Sequence, residues 1–184
     1  MYYKKLESKR VYLSPMTIED AEDYTKWMND RRVTDNIHST AKVITTMNEK
    51  EWIEKITSRG GHTFAIISKD DNKLIGNCGL MDTFYIDGTA TIGIFIGEEE
   101  YRGKGLGTEV IDLLLDFGFN NLRLHNINLA VFDFNEPAIK CYKKLGFKEY
   151  GRRHESYYLD GKWHDEIEME ILEDDYRNTR IERV

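Results

Sequence analysis

NEPAIKCYKKLGF (residues 135–147) carries the signals of a capped amphipathic helix. Asn135 is a good N-cap residue, and Pro137 falls in the first turn, where a backbone N–H is not needed. Four side chains spaced i, i+3, i+4 and i+7 form one apolar face: Ala138, Cys141, Tyr142 and Leu145. Gly146 is expected to end the helix in a left-handed conformation. The spacing therefore predicts that Tyr142 faces a sheet, either as a core residue or as a hydroxyl with a functional partner.

A second segment, EEEYRGKGLGTEV (residues 98–110), places three glycines and two cations between an apolar strand and an apolar helix. Exposed N–H groups and the helix dipole make such a helix start a site for phosphate oxygens, and Arg102 and Lys104 add positive charge. A tight connection is the plain structural alternative. The P-loop pattern fails because Gly105 follows Lys104, and the Rossmann pattern fails because Thr108 replaces its last glycine.

The rest of the chain predicts the element order β-α-α-β-β-β-α-β-α-β-β. The strands are expected over 10–15, 62–68, 73–84, 89–97 and 127–134, followed by a hairpin that turns at Asp160-Gly161. The helices are expected over 17–29, 48–60, 108–122 and 135–146. Residues 30–47 have weak periodicity and are expected to form a loop or lid. Antiparallel strands, a βαβ crossover and a closing hairpin indicate an α/β or α+β sheet with helices on its faces.

The composition excludes several classes of protein. The 184 residues carry a formal net charge of −7, which argues against nucleic-acid binding and mildly favours a cationic ligand. The segment MYYKKLESKR lacks the apolar core of a signal peptide, and no apolar run approaches the ~20 residues that span a bilayer. Cys78 and Cys141 are expected to be reduced and buried, which favours a cytoplasmic protein. Metal-ligand spacing is missing, and one domain is expected over residues 1–184.

The two segments together resemble the GNAT N-acetyltransferase superfamily. Residues 102–107 match its Arg-x-x-Gly-x-Gly pyrophosphate loop, and residues 135–147 match its Asn-x-x-Ala-x-x-x-Tyr-x-x-x-Gly-Phe segment. The opening LESKRVYLSPMTIEDAEDYTKWMND and the closing YYLDGKWHDEIEMEIL are similar to the branch that acetylates ribosomal-protein N-terminal alanines and spermidine. The resemblance covers residues 6–172 and leaves a charged tail over 173–184.

This resemblance implies a mixed, mostly antiparallel sheet of about seven strands with about four helices, splayed between strands 4 and 5. It also implies acetyl transfer from acetyl-CoA to an amine. The edge of strand 89–97 would hold the pantetheine arm, and an N–H near Phe95 or Ile96 would face the acetyl carbonyl. The residues expected to bind acetyl-CoA are Ile94, Phe95, Ile96, Arg102, Gly103, Lys104, Gly105, Leu106, Gly107, Thr108, Asn135 and Ala138.

Tyr142 is the expected general acid, which would protonate the leaving CoA thiolate. Two positions depart from the family pattern: Ser14 stands where many relatives carry arginine, and Thr91 where many carry glutamate. Because the usual glutamate is missing, no general base is assigned. The alternatives for the base are His154, Glu155, Asp82 and the acids at 98–100, each of which is also explained as a solvated surface group.

The acceptor stays open among ribosomal-protein N-termini, polyamines, amino sugars and other small amines. We expect its site in the first two helices, the 30–47 loop and the 150–165 hairpin, which carry Trp27, Trp52, His38, Tyr157, Tyr158 and Trp163. The partners are therefore a small-molecule or peptide amine, with no nucleic acid and no membrane, and a homodimer is compatible with the sequence. The alternative function is a catalytically silent CoA-binding sensor or structural subunit. A nucleotide-binding protein is disfavoured because both phosphate motifs fail.

Overall fold

The computed structural model describes residues 1–58 and 60–182. The strands in this part of the chain are β1 (Leu6–Glu7), β2 (Val11–Ser14), β3 (His62–Ser68), β4 (Leu74–Phe84), β5 (Thr89–Ile96), β6 (Asn126–Phe132), β7 (Lys148–Leu159) and β8 (Lys162–Leu172). The α-helices are α1 (Ala21–Met28), α2 (Arg31–Thr34), α3 (Thr46–Ser58), α4 (Leu106–Asp116), α5 (Glu136–Leu145) and α6 (Glu173–Glu182). Short 3-10 turns precede α1 and α4, and a π-helical turn over Phe117–Asn121 follows α4.

All eight strands form one mixed sheet in the order β1-β2-β3-β4-β5-β6-β8-β7. The ladders β1–β2, β2–β3, β3–β4, β6–β8 and β7–β8 are antiparallel. The β5–β6 ladder is parallel and pairs residues 89–91 with residues 126–128. Both strands continue beyond these three pairs, β5 to Ile96 and β6 to Phe132. The mixed, mostly antiparallel sheet expected from the sequence is confirmed.

The sequence prediction differs from the structure where local signals are short. The sheet has eight strands rather than about seven. The strand that the sequence does not predict is β1, which contains only two residues. The segment 30–47 is not all loop, since α2 begins inside it, where the Asp30 side chain accepts a hydrogen bond from Arg32 N at 2.9 Å. The predicted helix 108–122 begins earlier, at Leu106, and changes to a π-helical turn at Phe117.

Contacts group the chain into two compact units. The first comprises Met1–Met81 and Gly93–Leu113, and the second comprises Asp82–Ile92 and residues 114–182. The core of the first unit lies between the sheet and helices α1 and α3 and includes Tyr12, Met16, Tyr24, Trp27, Val33, Ile53, Ile67 and Leu74. The Trp27 ring is fully buried beside Gly97, where an added Cβ would overlap it. The absence of a side chain at Gly97 therefore leaves the space that the Trp27 ring occupies.

The core of the second unit includes the inward faces of β6 and β8 and the apolar face of α5. Helix α6, which the sequence analysis leaves as a charged tail, belongs to this unit. Its Tyr176 side chain is buried, with its ring 5.2 Å from that of Phe119 and its hydroxyl 3.4 Å from Asp116 Oδ1. Because α6 carries a single deeply buried aromatic among charged residues, its sequence has no clear apolar periodicity.

Candidate active site

The glycine loop adopts a backbone that requires glycine at two of its three positions. Gly103 and Gly105 have φ values of 70° and 78°, in the left-handed region that other residues rarely adopt. A Cβ added at Gly103 would meet nothing within 4 Å, so the space outside this position is open. Gly107 lies in the first turn of α4, where the nearest atom to an added Cβ is Ile94 Cδ1 at 4.0 Å. The space outside the loop is thus open at Gly103, whereas a Cβ added at Gly105 would meet an Arg10 terminal nitrogen at 3.4 Å.

Helix α4 begins at Leu106, directly after these left-handed glycines. Glu109 N donates to the Gly105 carbonyl at 3.4 Å. The N–H groups before Glu109 lie in the first turn, where helix geometry provides no carbonyl four residues back. Together with the helix dipole, this end of the loop has the features of an anion-binding helix start. Leu106 is buried and Thr108 half-buried.

Arg102 holds the loop to the end of β5. Its Nε donates to the Ile96 carbonyl at 2.9 Å, and one terminal nitrogen donates to the Gly97 carbonyl at 2.6 Å. The guanidinium therefore braces the loop from the protein side, in addition to placing positive charge there. Lys104 lies on the solvent side, with Nζ 5.7 Å from the centre of the Tyr101 ring. The structure thus brings predicted residues 94–96 and 102–108 together in the first unit.

A second brace joins the loop to the start of β2. The Glu109 carboxylate accepts hydrogen bonds from Arg10 Nε at 2.6 Å, from Arg10 N at 3.1 Å and from Ser8 Oγ at 2.7 Å. Burial alone would raise the pKa of Glu109, but the hydrogen bonds from Ser8 and Arg10 outweigh it and lower the pKa. Arg10 also donates to the Lys104 carbonyl at 2.9 Å, so one arginine fixes both the loop and the helix.

The chain that leads into the loop is fixed by Glu98, which is largely buried. Its carboxylate accepts from Trp27 Nε1 at 3.0 Å and pairs with Lys26 Nζ at 2.8 Å and Lys73 Nζ at 3.0 Å. Burial favours the neutral acid, but these three donors outweigh it and lower the pKa of Glu98 to about 2. These groups line an open groove of about 550 Å³ beside residues 97–100. Glu98 is therefore a poor proton acceptor near neutral pH.

The β5 residues expected at the pantetheine arm, Ile94, Phe95 and Ile96, are all half-buried. The Phe95 ring packs edge-on against Trp27 and Tyr24, with centroid distances of 6.0 and 6.4 Å. Its carbonyl approaches Gly76 so closely that a Cβ there would overlap it. Ile94 and Ile96 are half-buried. The backbone at these positions is thus held by close packing on one side of the strand.

Tyr142, Asn135 and Ala138 lie in the second unit, on α5 or at its start. Asn135 is the N-cap, as predicted, and its Oδ1 accepts from Ala138 N at 3.3 Å. Gly146 ends the helix with φ 105°. The Tyr142 ring is buried, 5.7 Å from that of Phe147, and burial followed by the charge of Cys141 raises the pKa of its phenol. Within the described chain its hydroxyl has no hydrogen-bond partner, so it is available to a ligand.

The residues considered as the general base are bonded to other groups or exposed to solvent. Thr91 donates to Asn128 Oδ1 at 3.0 Å inside the parallel ladder, so no acid stands there. Asp82 is exposed. His154 is 77% exposed at its side chain and contacts Asp165 at 3.1 Å. Glu99 and Glu100 form ion pairs with Arg32 and Lys73.

The aromatic residues expected at the acceptor site are not equivalent. Trp27 is a core residue, because only 1% of its surface is exposed and its Nε1 donates a hydrogen bond to Glu98. Tyr157 is stacked on Phe132 at 4.2 Å, and Trp52 packs beside the core. Tyr158 and Trp163 are more than half exposed and contact each other at 5.1 Å, so these two remain on the surface. His38 is exposed, with φ 54°.

The sequence analysis missed the residues that hold the site in place. Arg10 lies 99 positions from Glu109, and Trp27 lies 71 positions from Glu98. No local pattern relates such residues, although the isolated acids Glu98 and Glu109 beside apolar segments are a weak signal. His164 and Asp133, 31 positions apart, also form a hydrogen-bonded pair that was not anticipated.

Within residues 1–58 and 60–182, no group of three or more His, Cys, Asp or Glu side chains is arranged to hold a metal ion. The helices in this part of the chain are also too short or too polar to cross a membrane. Ser14, one of the two departures from the family pattern, is buried, and its Oγ accepts from Tyr3 N at 3.0 Å.

Comparison with known proteins identifies a shared domain. A family model described as an acetyltransferase (GNAT) domain matches residues 10–148. An uncharacterized N-acetyltransferase p20 of Bacillus licheniformis is 29% identical over 174 residues, which cover 93% of this chain and 97% of the relative. A spermidine N(1)-acetyltransferase of Vibrio cholerae is 28% identical over 158 residues, which cover 81% of this chain and 91% of the relative.

The solved structures agree with these sequence relatives. A crystal structure of spermidine N-acetyltransferase from Vibrio cholerae in complex with CoA and spermine superimposes with a TM-score of 0.83 at 27% identity. The match covers 91% of this chain and 98% of that one. A GNAT-family acetyltransferase from Bacillus anthracis, at 24% identity, has the same fold with a TM-score of 0.79.

Proposed function

Because this chain belongs to the GNAT acetyltransferase family, and its relatives are N-acetyltransferases, we propose that it transfers the acetyl group of acetyl-CoA to a primary amine of a polyamine. An N-terminal α-amine of a protein and other small amines are the alternatives that the sequence left open. Three expectations stay predictions: that residues 1–184 act as one domain, that the protein is cytoplasmic, and that a homodimer is compatible with the sequence.

One observation carries the acetyl-CoA part of the proposal: the open left-handed glycines at the start of α4. Gly103 and Gly105 are exposed residues with positive φ directly before a helix start, and Arg10 and Arg102 hold the carbonyls of Lys104 and Gly97 on either side. Such an arrangement binds phosphate oxygens with donors that need no rearrangement. The CoA found in the Vibrio cholerae spermidine acetyltransferase structure supports the pyrophosphate as the anion.

Tyr142 is proposed as the proton donor to the leaving thiolate. Burial keeps the phenol protonated at neutral pH, and its hydroxyl has no partner in the described chain. The same burial makes it a weak acid, so proton transfer to a thiolate with a pKa near ~8.5 is uphill. We therefore expect a contribution at the lower end of the typical range for positioned acids, about 10²-fold. A binding module without turnover would not need this donor.

The polyamine part rests on three kinds of support. The relative that is 28% identical over most of the chain is a spermidine N(1)-acetyltransferase, and the structural neighbour holds spermine. The formal net charge of −7 also favours a cationic acceptor over a neutral one. The exposed pair of Tyr158 and Trp163 on the β7–β8 hairpin offers ring faces on which a cation is stabilised.

The test is an acceptor screen that follows thiol release from acetyl-CoA. Spermidine and spermine are compared with a peptide bearing a free N-terminal alanine, an amino sugar and a buffer blank. We expect the highest kcat/KM with a polyamine. Turnover only with the peptide would replace the polyamine by the N-terminal amine. If no amine is acetylated while CoA, but neither ATP nor NAD, raises the melting temperature, the silent CoA-binding module is the correct function.

A further inference from the structure

A histidine that the sequence analysis did not consider is held by a carboxylate in the second unit. His164 Nδ1 lies 3.1 Å from Asp133 Oδ1. Because a carboxylate accepts hydrogen bonds, this contact assigns the proton of a neutral imidazole to Nδ1 and leaves the lone pair on Nε2. A base oriented by a third group is the arrangement that activates proton transfer in many enzymes.

Asp133 is itself fixed on both sides. Its backbone N donates to the Asp165 carbonyl at 3.0 Å, and Asp165 N donates to Asp133 Oδ2 at 3.3 Å. The His164 ring meets the Phe134 ring edge-on at 4.7 Å. The His164 side chain is 20% exposed, whereas that of His154, which also contacts a carboxylate, is 77% exposed. The His164 ring is therefore enclosed as well as hydrogen-bonded, whereas the His154 ring is mostly exposed to solvent.

The pair lies at an end of the sheet that is suited to ligands. Asp133 follows the last residue of β6, beyond the final β5–β6 pair at Asn128, and it stands two residues before Asn135, the N-cap of the helix that carries Tyr142. Ligand sites in sheets with parallel strands favour the carboxyl ends of those strands. The proposed acid, Asp133 and His164 thus all belong to the second unit, and Asp133 lies between the consecutive elements β6 and α5.

The strand opposite His164 is irregular. Tyr157 pairs with His164 in the β7–β8 ladder, and the register shifts between Arg153 and Tyr157. Within this bulge Glu155 has φ 48°, and Ser156 Oγ is enclosed with no hydrogen-bond partner among the described residues. β-Bulges are over-represented next to active sites, and an enclosed hydroxyl without a partner requires an explanation. A bound ligand or water at this bulge would satisfy it.

Charged groups of both signs lie on the two strands at this position. Asp133 contacts His164 directly, and Asp165 and Glu166 follow His164 on the same strand. The cations come from β7: Arg152 pairs with Asp165 at 3.3 Å and Arg153 with Glu166 at 2.9 Å. His154, also on β7, contacts Asp165 at 3.1 Å.

The other candidates for a base are weaker on structural grounds. Glu98 is occupied by three donors, Glu99 and Glu100 are in ion pairs, and the glutamate usual at position 91 is a threonine bonded to Asn128. We propose that His164, oriented by Asp133, is the general base that takes a proton from the acceptor ammonium group. This inference rests on the proposed function, because it assigns the base of that same reaction.

Atoms and charges are conserved in the proposed acetyl transfer. The acceptor ammonium gives one proton to His164 Nε2, and the freed lone pair forms the C–N bond to the acetyl carbon as the C–S bond breaks. The departing thiolate takes the proton of the Tyr142 hydroxyl, and the new amide nitrogen loses its second proton to water. Tyr142 then regains a proton and His164 releases one, so that one proton is set free per turnover.

The test compares His164→Asn with the control His154→Asn. The asparagine amide can still donate to Asp133 in place of Nδ1, but it has no atom that replaces Nε2. With spermidine at pH 7, kcat/KM of His164→Asn is expected to fall about 10²-fold, the typical contribution of a positioned base. The deficit should shrink steadily toward pH 9.5, because an aliphatic amine with a pKa of about 10.4 then arrives increasingly unprotonated. His154→Asn should follow the wild type at every pH.

A structural role for His164 predicts a different pattern. It would lower the melting temperature or raise KM by a factor that does not depend on pH, and that result would overturn the inference. If His164→Asn does not fold, Asp133→Asn carries the test, with the same shrinking deficit expected; loss of folding in both variants would assign the pair to structure. If the wild type acetylates spermidine and His164→Asn has the same kcat/KM, the assignment of His164 as the base is rejected while the proposed function stands. Absence of wild-type turnover with every amine rejects the proposed function and the inference together.

Discussion

Arg102 and Gly97 are joined by a 2.6 Å hydrogen bond from the guanidinium to the Gly97 carbonyl, and the same side chain donates to the Ile96 carbonyl. The expected role of Arg102 as a phosphate ligand stays a prediction, and these two hydrogen bonds show that the side chain braces the loop to which it belongs. Two donors at fixed spacing are a property of arginine that lysine lacks.

We therefore expect Arg102→Lys to weaken CoA binding nearly as much as Arg102→Ala, by about tenfold or 1.4 kcal/mol. Calorimetric titration at low and high salt checks this. A simple charge contact would be screened by salt, and lysine would restore most of it. CoA affinity in Arg102→Lys equal to the wild type would show that only the charge matters.

The glycine loop makes a second prediction. Gly105→Val adds a branched side chain at φ 78° beside the exposed loop backbone, and CoA affinity should fall at least about tenfold. Gly161→Val is the matched control, since Gly161 has φ 83° and, like Gly103, open space around an added Cβ. Both variants should lose comparable stability. If CoA binds equally well to both, the loop does not hold the pyrophosphate.

Glu98 contributes to the dependence of the protein's stability on pH. Its folded pKa of about 2 lies below the ordinary 4.5, so its stabilisation is present above pH 4.5 and is lost as pH falls toward 2. With 11% of the side chain exposed, the shift corresponds to about 3 kcal/mol. Urea unfolding should show Glu98→Gln destabilised by about this amount at pH 7 and much less at pH 3.

The control for this prediction is Glu99→Gln. The Glu99 side chain is 69% exposed in its ion pair with Arg32, and exposed pairs contribute at most about 1 kcal/mol. Equal effects of the two substitutions at pH 7 would mean that the buried contacts of Glu98 do not stabilise the fold.

Helix α6 is expected to stabilise the protein through Tyr176. Removing its buried ring in Tyr176→Ala leaves a cavity beside Phe119 and should cost about 3 kcal/mol in the free energy of unfolding. Tyr3→Ala removes a ring that is 65% exposed and should change stability by less than about 0.5 kcal/mol. A Tyr176→Ala protein as stable as Tyr3→Ala would return residues 173–182 to the role of a dispensable tail.

The parts of the fold that were predictable are those with local signals. The Asp160-Gly161 turn adopts positive φ at both residues and defines the β7–β8 hairpin, and the cap at Asn135 and the left-handed Gly146 limit α5. The glycine loop was visible for the same reason, because its three glycines fall within five residues of the sequence.

The remainder depends on contacts between distant residues. The two residues of β1 form a strand only because they pair with β2, and α6 is ordered around one buried tyrosine. A tryptophan is a residue type common in binding sites, so the sequence alone does not distinguish the two roles of Trp27. Its burial against Gly97 and Glu98 shows that it belongs to the core. His164 meets Asp133 through the register of β6 and β8, which local periodicity does not specify.

The most direct test of the central claim is the pH profile of kcat/KM for Tyr142→Phe with spermidine and acetyl-CoA. The substitution keeps the buried ring and removes only the hydroxyl. We expect kcat to fall about 10²-fold, with CoA affinity and melting temperature nearly unchanged, while the exposed control Tyr3→Phe retains wild-type kcat. A Tyr142→Phe enzyme with wild-type rates at every pH would contradict the account and make Tyr142 a core residue only.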